Sequence, residues 1–171
     1  MQFTLRPATL EDAAAIASVQ VNTWQVAYPN IIDADYLEDF TLEKATLAQI
    51  ERIGFDGHLR TVAEVQNEVV GYAVSNIKKE GDFIGDWFLY ALYVLPEHQG
   101  CGIGKALLED AKSKGRNQVH ARIVFDVFTG NDPAKSFYES NDATFLSQTE
   151  FELGGKTYPT DCYEIAILPS Q

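Results

Sequence analysis

The chain has 171 residues, of which 46% are hydrophobic and 12% aromatic, so one domain spanning residues 1–171 can bury a substantial core. Its formal net charge of −12 disfavours binding to nucleic acid and to anionic membrane surfaces, because the average surface repels phosphate. No segment approaches the roughly 18 apolar residues that cross a bilayer, and the first residues do not resemble an export signal, so a cytoplasmic location is expected.

The N-terminal third predicts one strand followed by helices. Residues 3–9, FTLRPAT, are typical of a short strand, and Thr9 with Asp12 three positions later is typical of a helix N-terminal capping pair. The helix that follows is expected to run to about Tyr28. A second helical region is expected within residues 31–55, with its acidic side chains toward water.

The middle of the chain predicts three strands. Residues 59–65 and 69–77 are rich in β-branched and aromatic side chains, and the short polar connection between them indicates a hairpin. A polar loop follows at 78–86. Residues 87–95 are nearly all apolar, as in a central strand covered on both faces, and Pro96 ends this strand.

A helix and a further strand come next. Ile103, Leu107 and Ala111 recur at helical spacing, and Gly115 is expected to stop this helix. Residues 121–130 are typical of a strand. Strand, helix and strand in this order predict a βαβ-like crossover.

The C-terminal part predicts one helix and two strands. Asp132 is expected at the N-cap of the helix, with Pro133 at the first helical position. Residues 143–155 and 156–168 are expected to be antiparallel strands joined at a pair of glycines.

The stretch HQGCGIGKALLED, residues 98–110, places three glycines within five positions immediately before a helix. Such a backbone presents unsatisfied N–H groups at the positive end of the helix dipole, which favours an anion. The spacing differs from a P-loop, since Ala106 follows Lys105, and from the dinucleotide pattern G-x-G-x-x-G. A nucleotide-binding protein is therefore disfavoured, and a tight turn packed against the sheet is the alternative without a ligand.

The stretch does contain Q-x-x-G-x-G at 99–104, with LYVLPE before it at 92–97 and N-x-x-A-x-x-F-Y-E after it at 131–139. This combination strongly resembles the acyl-CoA pyrophosphate loop of the GNAT superfamily of N-acetyltransferases. RPATLEDAAAIA at 6–17 and VVGYAV at 69–74 also occur in the family's order, so the resemblance covers nearly the whole chain. It implies an α/β fold of the α+β type, in which helices flank a mixed, mostly antiparallel sheet that splays at its central strand.

The resemblance also implies acetyl-CoA as co-substrate and assigns its contacts. Backbone groups of Leu92, Tyr93 and Val94 would hold the pantetheine arm, and an N–H near Val94 would polarise the thioester carbonyl. Asn131 would contact the cofactor, although it is also typical of a helix start. The expected pyrophosphate cradle comprises Gln99, Gly100, Cys101, Gly102, Ile103, Gly104 and Lys105.

Catalytic residues are assigned by the same resemblance. Tyr138 falls on the tyrosine of F-Y-E, whose hydroxyl would protonate the leaving thiolate, although packing of a helix face also explains it. The chain departs from the commonest pattern at Phe88, where many relatives carry Glu. Asp126 is the leading candidate for accepting the amine proton and Asp86 the second, and an ordinary solvated role stays equally open for each.

The acceptor is the least determined part of the expected reaction. Trp24 and Tyr28 match a W-x-x-x-Y pattern that many family members have beside the acceptor pocket, and core packing explains them equally well. The acidic surface favours a cationic acceptor such as a polyamine, an aminoglycoside or a basic peptide end, unless the charge serves solubility alone. Family members often form dimers, so a homodimer is also expected.

The expected function is transfer of an acetyl group from acetyl-CoA to a primary amine of a small molecule or peptide. Direct attack in a ternary complex is favoured, because no residue stands out as an acylated nucleophile. Cys101 and Cys162, the only cysteines, are too few for a zinc ribbon or a disulfide framework, and no metal is expected. The alternative is a CoA-binding sensor or partner module without turnover, which Phe88 favours.

Overall fold

The structure is a computed structural model that describes residues 2–167, and in this range the chain forms a seven-stranded sheet with five α-helices. The strands are β1 (Thr4–Pro7), β2 (Leu59–Val65), β3 (Glu68–Ile77), β4 (Trp87–Val94), β5 (Arg122–Phe128), β6 (Thr144–Leu153) and β7 (Lys156–Ala166). The helices are α1 (Ala13–Ala27), α2 (Ala34–Asp39), α3 (Leu42–Phe55), α4 (Ile103–Asn117) and α5 (Asp132–Glu139). Residue 168, the expected end of the last strand, lies outside the described range.

The sheet has the order β1-β2-β3-β4-β5-β7-β6, and its neighbours are antiparallel except for the parallel pair β4 and β5. The parallel pair is connected through α4, which is the βαβ-like crossover that the sequence predicts. The expected mixed, mostly antiparallel sheet with flanking helices is confirmed. Within residues 2–167, no helix is both long enough and apolar enough to span a bilayer.

The helix start and the helical region near the N-terminus follow from local side-chain chemistry. The backbone N–H of Thr9 donates to the Asp12 carboxylate at 2.7 Å, as the capping pair predicts. The region 31–55 consists of two helices, because the chain breaks at Phe40 and restarts at Thr41. The Thr41 hydroxyl caps α3 by accepting a hydrogen bond from the backbone of its first turn.

The central strand β4 is covered on both faces, as predicted. Leu89 and Val94 belong to the core under α4, whereas Ala91 packs with the cluster under α1. Pairing with β3 shifts between Leu89 and Ala91, so Tyr90 is an extra residue in the strand. A β-bulge of this kind changes the alternation of side chains, and the Tyr90 side chain lines a cavity on the α1 side of the sheet.

A cleft opens where β4 and β5 separate. The two strands pair only at their first residues, with Trp87 opposite Ile123 and Phe88 opposite Val124. Beyond these two pairs the strands splay, so the sheet consists of two antiparallel parts joined by a short parallel seam. The expected splay at the central strand places the cleft at the carboxyl ends of two parallel strands, where open α/β sheets commonly bind ligands.

The prediction that Gly115 stops a helix is wrong. Gly115 lies inside α4, which continues to Asn117. A Cβ atom at this position would lie 2.6 Å from Ile167 Cδ1 and 2.7 Å from Trp87 Cδ1. Glycine is therefore required because the helix packs directly against these side chains.

The prediction that Asp132 caps α5 is displaced by one residue. Asn131 occupies the N-cap, and its side-chain oxygen accepts a hydrogen bond from the backbone N–H of Ala134 at 3.3 Å. Asp132 is the first helical residue, where its charge still favours the helix dipole. After α5, Asp142 has φ +67°, a left-handed conformation that aspartate adopts more readily than most residues other than glycine.

Candidate active site

The cleft between β4 and β5 is part of a cavity of about 1190 Å³ that extends along both sides of the splayed strands. The part beside the start of α4, here the α4 half, is lined by Gln99, Gly100, Gly102, Gly104, Lys105, Asn131 and Tyr138. The part beneath α1 and α3, here the α3 half, is lined by Trp24, Tyr28, Arg52, Asp56, His58, Arg60, Tyr72, Lys78, Phe88, Tyr90, Tyr93 and Asp126.

The glycine-rich segment before α4 has the geometry of an anion cradle. Gly100 has φ +72° and Gly102 has φ +86°, and a Cβ atom at either residue would meet no other atom within 4 Å. These glycines therefore serve a left-handed backbone beside open space. The first hydrogen bond of α4 runs from Ala106 N–H to Gly102 O at 3.0 Å, so the N–H groups of residues 103–105 have no intrahelical acceptor. Phosphate oxygens fit such donors.

Several of the expected cradle side chains are used within the protein. Gln99 Nε2 donates to the backbone oxygen of Val94 at 2.9 Å, which ties the loop to the end of β4. Ile103 is buried in the core, and Cys101 is exposed but does not line the cavity. Gly104 lies where a Cβ would be 3.4 Å from the Phe137 ring, so it permits contact between α4 and α5. The backbone of these residues is therefore the part best placed to meet a ligand in the cavity.

The lysines near the cradle differ in how they are paired. Lys112, Lys114 and Lys135 lie 2.6 to 2.7 Å from carboxylates of neighbouring residues. Lys105 is exposed, lines the cavity and forms no ion pair within the described part of the chain. Lys105 is therefore the cation of this group that can meet a phosphate.

The backbone of β4 offers a free edge in the cleft. Leu92, Tyr93 and Val94 pair with β3 on one side, and β5 has no residue paired with them on the other. Peptide groups along an unpaired edge can hydrogen-bond an extended ligand as a neighbouring strand would. This edge has the form that the proposed pantetheine contacts need.

Tyr138 combines a buried ring with a hydroxyl group in the α4 half. Its ring packs against Phe125 with a centroid distance of 4.2 Å, and the residue is 8% exposed. Burial, with a smaller effect from Tyr93, raises the pKa of Tyr138 above its ordinary value of 10.0. The hydroxyl is therefore protonated at neutral pH, as a proton donor must be. Packing and function are both compatible with this position.

Trp24 and Tyr28 lie on the last turns of α1 and face the α3 half. Their rings contact edge to face at 5.3 Å, and Tyr28 contacts Phe128 at 5.1 Å. The hydroxyl oxygens of Tyr28 and Tyr93 are 3.4 Å apart. Trp24 Nε1 is buried without a hydrogen-bond acceptor among residues 2–167. Both aromatic residues thus belong to a core cluster and to the cavity wall.

The two candidate bases occupy different environments. Asp126 is exposed on β5, lines the α3 half and accepts a hydrogen bond from Thr149 Oγ1 at 3.0 Å. Asp86 accepts two hydrogen bonds from the Arg122 guanidinium at 3.1 and 2.7 Å and does not line the cavity. The Asp86 carboxylate is thus engaged by arginine outside the cavity, so the geometry favours Asp126.

The floor of the α3 half next to Asp126 is aromatic and carries a cation. Phe88 is buried against Val124 and Cys162, and Lys78 Nζ lies 3.7 Å from the centroid of the Phe88 ring. Burial raises the pKa of the Cys162 thiol to about 12, and the carboxylate of Asp126 adds to this rise. The thiol is therefore neutral at physiological pH, which agrees with a structural cysteine.

Sequence reasoning identified Asp126 but not the basic side chains of the α3 half. Arg52, His58, Arg60 and Lys78 come from α3, from β2 and its approach, and from the end of β3. Residues 60–63 of β2 are all buried, so no alternation within this strand indicates that Arg60 faces the cavity. The position of Tyr90 depends on a bulge, for which the sequence carries no local signal. Among residues 2–167, no group of three or more His, Cys, Asp or Glu could hold a metal ion.

A splayed parallel strand pair with a glycine-rich helix start is the arrangement that the resemblance to GNAT acetyltransferases implies, and comparison with known proteins agrees. The model of the acetyltransferase (GNAT) family matches residues 26–142. The chain therefore belongs to the acetyltransferase (GNAT) family and is an acyltransferase.

Individual relatives resemble the chain over most of its length. The uncharacterized N-acetyltransferase YuaI of Bacillus subtilis (strain 168) is 31% identical over 159 residues, which are 89% of this chain and 86% of YuaI. An N-alpha-acetyltransferase of Saccharolobus solfataricus is 28% identical over 145 residues, 80% of this chain and 77% of that protein. Among solved structures, the putative acetyltransferase yncA of Salmonella typhimurium, determined with its cofactor acetyl-CoA, has a TM-score of 0.71 at 21% identity and covers 100% of this chain and 97% of its own.

Proposed function

We propose that this protein transfers the acetyl group of acetyl-CoA to a primary amine of a small molecule or peptide by direct attack within a ternary complex. One observation carries the proposal: a single cavity joins the anion cradle before α4, the free edge of β4, the Tyr138 hydroxyl and the Asp126 carboxylate. Each of these features meets one requirement of acyl transfer from a thioester to an amine.

The α4 half fits acetyl-CoA. The left-handed backbone at Gly100 and Gly102 and the N–H groups of residues 103–105 would hold the pyrophosphate, with Lys105 beside it. The free edge of β4 from residues 92–94 would hold the pantetheine arm. Acetyl-CoA supplies an activated acyl group with a thiolate leaving group. The solved acetyltransferase with acetyl-CoA described above has the same fold.

The proton balance of the reaction assigns roles to two side chains. As the amine nitrogen bonds to the acyl carbon, the carbon–sulfur bond breaks. A substrate that arrives as an ammonium ion gives up two protons in all. One is lost after the attack and balances the proton taken up by the departing thiolate, and the other is lost before the attack, when the ammonium ion becomes the attacking amine. Asp126, exposed in the α3 half, accepts this proton directly or through water. Tyr138, whose proton is retained by burial, donates to the departing sulfur. The enzyme is regenerated when these groups exchange protons with solvent.

Isothermal titration with acetyl-CoA and with CoA tests the cradle. Gly102→Glu places bulk and negative charge where the pyrophosphate would bind, and binding is expected to be lost. Gly81→Glu is the matched control, because Gly81 also has positive φ and open space around it but lies outside the cavity lining. Absence of binding to the wild type, or equal binding to both variants, would contradict the proposed site.

A CoA-binding sensor or partner module is the second candidate. The specific observation in its favour is Phe88 with Lys78 over its ring, at the place where many relatives have a carboxylate. Release of free thiol from acetyl-CoA in the presence of an amine panel separates the two functions. Acetylated product identifies the enzyme, whereas tight binding without thiol release identifies the sensor.

The cellular location and the oligomeric state of the protein are predictions. We propose a cytoplasmic location and a homodimer, and the latter is checked by light scattering coupled to size-exclusion chromatography with and without CoA. A molecular mass near 19.0 kDa would show a monomer and contradict the dimer.

A further inference from the structure

A basic and aromatic cluster lines the α3 half of the cavity near the end of β3 and the beginning of the antiparallel strand β4. It consists of Arg52, His58, Arg60, Lys78 and Tyr90. The His58 and Tyr90 rings stack with a centroid distance of 4.4 Å, and Lys78 Nζ lies 5.7 Å from the centroid of the Tyr90 ring. The cluster is thus a continuous surface, although its members come from α3, the β2 region, β3 and β4.

One of the cations is neutralised within the protein. The Arg60 guanidinium donates to both carboxylate oxygens of Asp56, with one of these hydrogen bonds at 2.8 Å, and its side chain is 6% exposed. Arg60 and Asp56 therefore form a neutral pair in the cavity wall. Arg60 Nε is buried and lacks a partner in the described range.

Two cations stay uncompensated. Neither Arg52 nor Lys78 has a carboxylate within 4.0 Å among residues 2–167. Arg52 lies close enough to lower the pKa of the Tyr36 and Tyr72 hydroxyls, against the rise that burial causes in both. Two unpaired positive charges in one cavity wall are notable in a chain of net charge −12.

Positive and negative groups lie on opposite sides of the cavity floor. Lys78 follows β3 and lies over the Phe88 ring of β4, whereas Asp126 lies on β5, opposite Cys162 of β7. Burial and the Asp126 carboxylate raise the pKa of the Cys162 thiol and Lys78 lowers it, so both charges act at the cavity floor. The two charged groups do not form an ion pair with one another. The floor thus presents a carboxylate toward β7 and an ammonium group toward β3.

Resting on the proposed function, we infer that the acceptor is a small amine that also carries a carboxylate, with the amine facing Asp126 and the carboxylate bound by Lys78 and Arg52. Average surface charge favours a cationic acceptor, but solvent screens charges beyond about 8 to 10 Å, so the groups inside the cavity determine recognition. A zwitterionic amino acid matches both signs of the floor, whereas a diamine would place its second ammonium group against two cations.

A matched series of amines tests this inference. Glycine, β-alanine and 4-aminobutyrate are compared with their carboxamides and with diamines of equal length, by thiol release and product mass. The amino acid whose chain between amine and carboxylate best fits the site is expected to have a kcat/KM about tenfold or more higher than its amide. The reason is that the amide replaces a charged hydrogen bond by a neutral one. The diamine is expected to be the poorest of the three.

Variants of the two cations locate the carboxylate site. Lys78→Gln and Arg52→Gln are each expected to raise KM for the amino acid about tenfold relative to KM for the amide. The affinity for acetyl-CoA should stay at the wild-type value. Lys78→Arg is expected to retain most of the selectivity. Lys79→Gln is the matched control, because this neighbouring exposed lysine makes the same change in net charge without lining the cavity.

The possible failures are distinguishable. If the amide or the diamine is acetylated as well as the amino acid, the protein is an acetyltransferase and the inferred carboxylate site is wrong. Selectivity that persists in Lys78→Gln and Arg52→Gln also overturns it. If acetyl-CoA binds and no amine in the series releases thiol, the proposed function fails, and this inference fails with it.

Discussion

The hydroxyl group of Tyr138 can be removed without disturbing the packing of its ring. In Tyr138→Phe the contact with Phe125 is retained, and only the proposed proton donor is lost. We expect kcat to fall about a hundredfold, while the affinity for acetyl-CoA stays unchanged, because general acids contribute at least this factor. Steady-state kinetics and titration measure the two quantities.

Tyr163→Phe is the control for this substitution. The Tyr163 hydroxyl donates to Glu139 at 3.1 Å and does not line the cavity, so its removal should leave kcat nearly unchanged. An equal loss of rate in both variants would argue against a specific role for Tyr138.

Asp126→Asn tests the proposed base through the pH profile. An amine with a pKa of about 10.4 is protonated at neutral pH and needs an acceptor there, but above this pH it loses the proton to solvent. We therefore expect a rate reduction of about tenfold or more at pH 7 that nearly disappears above about pH 10. Asp86→Asn breaks the ion pair with Arg122 and should keep the wild-type profile. An unchanged profile in Asp126→Asn would remove this residue from the mechanism.

Asp12 links stability to pH at the start of α1. The hydrogen bond from Arg6 is the main cause that lowers the pKa of Asp12 from 3.8 to about 2. A group whose pKa is lower in the folded state stabilises the fold above its unfolded pKa and loses this contribution as the pH falls toward the folded value. The contribution is therefore complete above about pH 5 and declines between about pH 4 and pH 2.

Asp12→Asn should thus lower the free energy of unfolding by about 1–2 kcal/mol at pH 6, a value reduced because the Arg6 side chain is 37% exposed and partly screened. The difference from wild type should shrink below pH 4 in urea titrations. Asp132→Asn, with a side chain 87% exposed, is the control and should change stability little. A difference that is independent of pH would show that the ion pair is not its source.

At the scale of helices and strands, Gly115 shows how packing opposes intrinsic helix propensity. Alanine at this position would gain helix propensity but would place a Cβ 2.6 Å from Ile167 Cδ1 and 2.7 Å from Trp87 Cδ1. We expect Gly115→Ala to destabilise the protein by about 1–3 kcal/mol, as other overpacked cores do. Thermal and urea unfolding measure this change.

Gly54→Ala is the matched control in α3. A Cβ at Gly54 would meet no atom within 4 Å, so the same substitution should stabilise the protein by about 0.5 kcal/mol through helix propensity alone. Stabilisation by both substitutions would mean that α4 can move away from Trp87 at little cost.

The elements whose patterns are local could be predicted from the sequence. The hairpin of β2 and β3 and the apolar strand β4 occur where the sequence predicts them, because alternation and turn residues lie within a few positions. The position of Gly115 inside α4 could not be predicted, because glycine is required there by packing against Trp87 and Ile167, which are distant in sequence. A local sequence pattern shows that a glycine is present, but it does not show whether the glycine ends a helix or permits close packing.

The candidate site also has a part that local sequence predicts and a part that it does not. The cradle from 99–104 is one continuous motif, and together with residues 92–97 and 131–139 it could be recognised by its resemblance to the GNAT acyl-CoA loop. The basic cluster brings Arg52, His58 and Lys78 together from separate elements, and Tyr90 reaches the cavity through a bulge. No spacing within the chain indicates these contacts, so only the tertiary structure reveals them.

For the whole molecule, the cavity predicts coupling between ligand binding and stability. A ligand that binds only the folded state adds about 2.7 kcal/mol at a concentration one hundred times its Kd. For a chain of this length, we expect acetyl-CoA at such a concentration to raise Tm by about 5–10 °C. Differential scanning fluorimetry measures the shift. Gly102→Glu should show none, and an equal rise in that variant would place the ligand elsewhere.

A small rotation at the seam between β4 and β5 would be magnified at the mouth of the cleft. Only the pairs Trp87–Ile123 and Phe88–Val124 join the two parts of the sheet, and Val94 lies six residues farther along, about 20 Å at 3.3 Å per residue. A rotation of about 5° at the seam would thus move the mouth of the cleft by nearly 2 Å, a displacement larger than the roughly 1 Å that can cost an enzyme a hundredfold in rate. The packing of Phe88 against Val124 at the seam therefore determines the width of the cleft. A substitution that changes the volume of either side chain would shift the reacting groups by a larger distance.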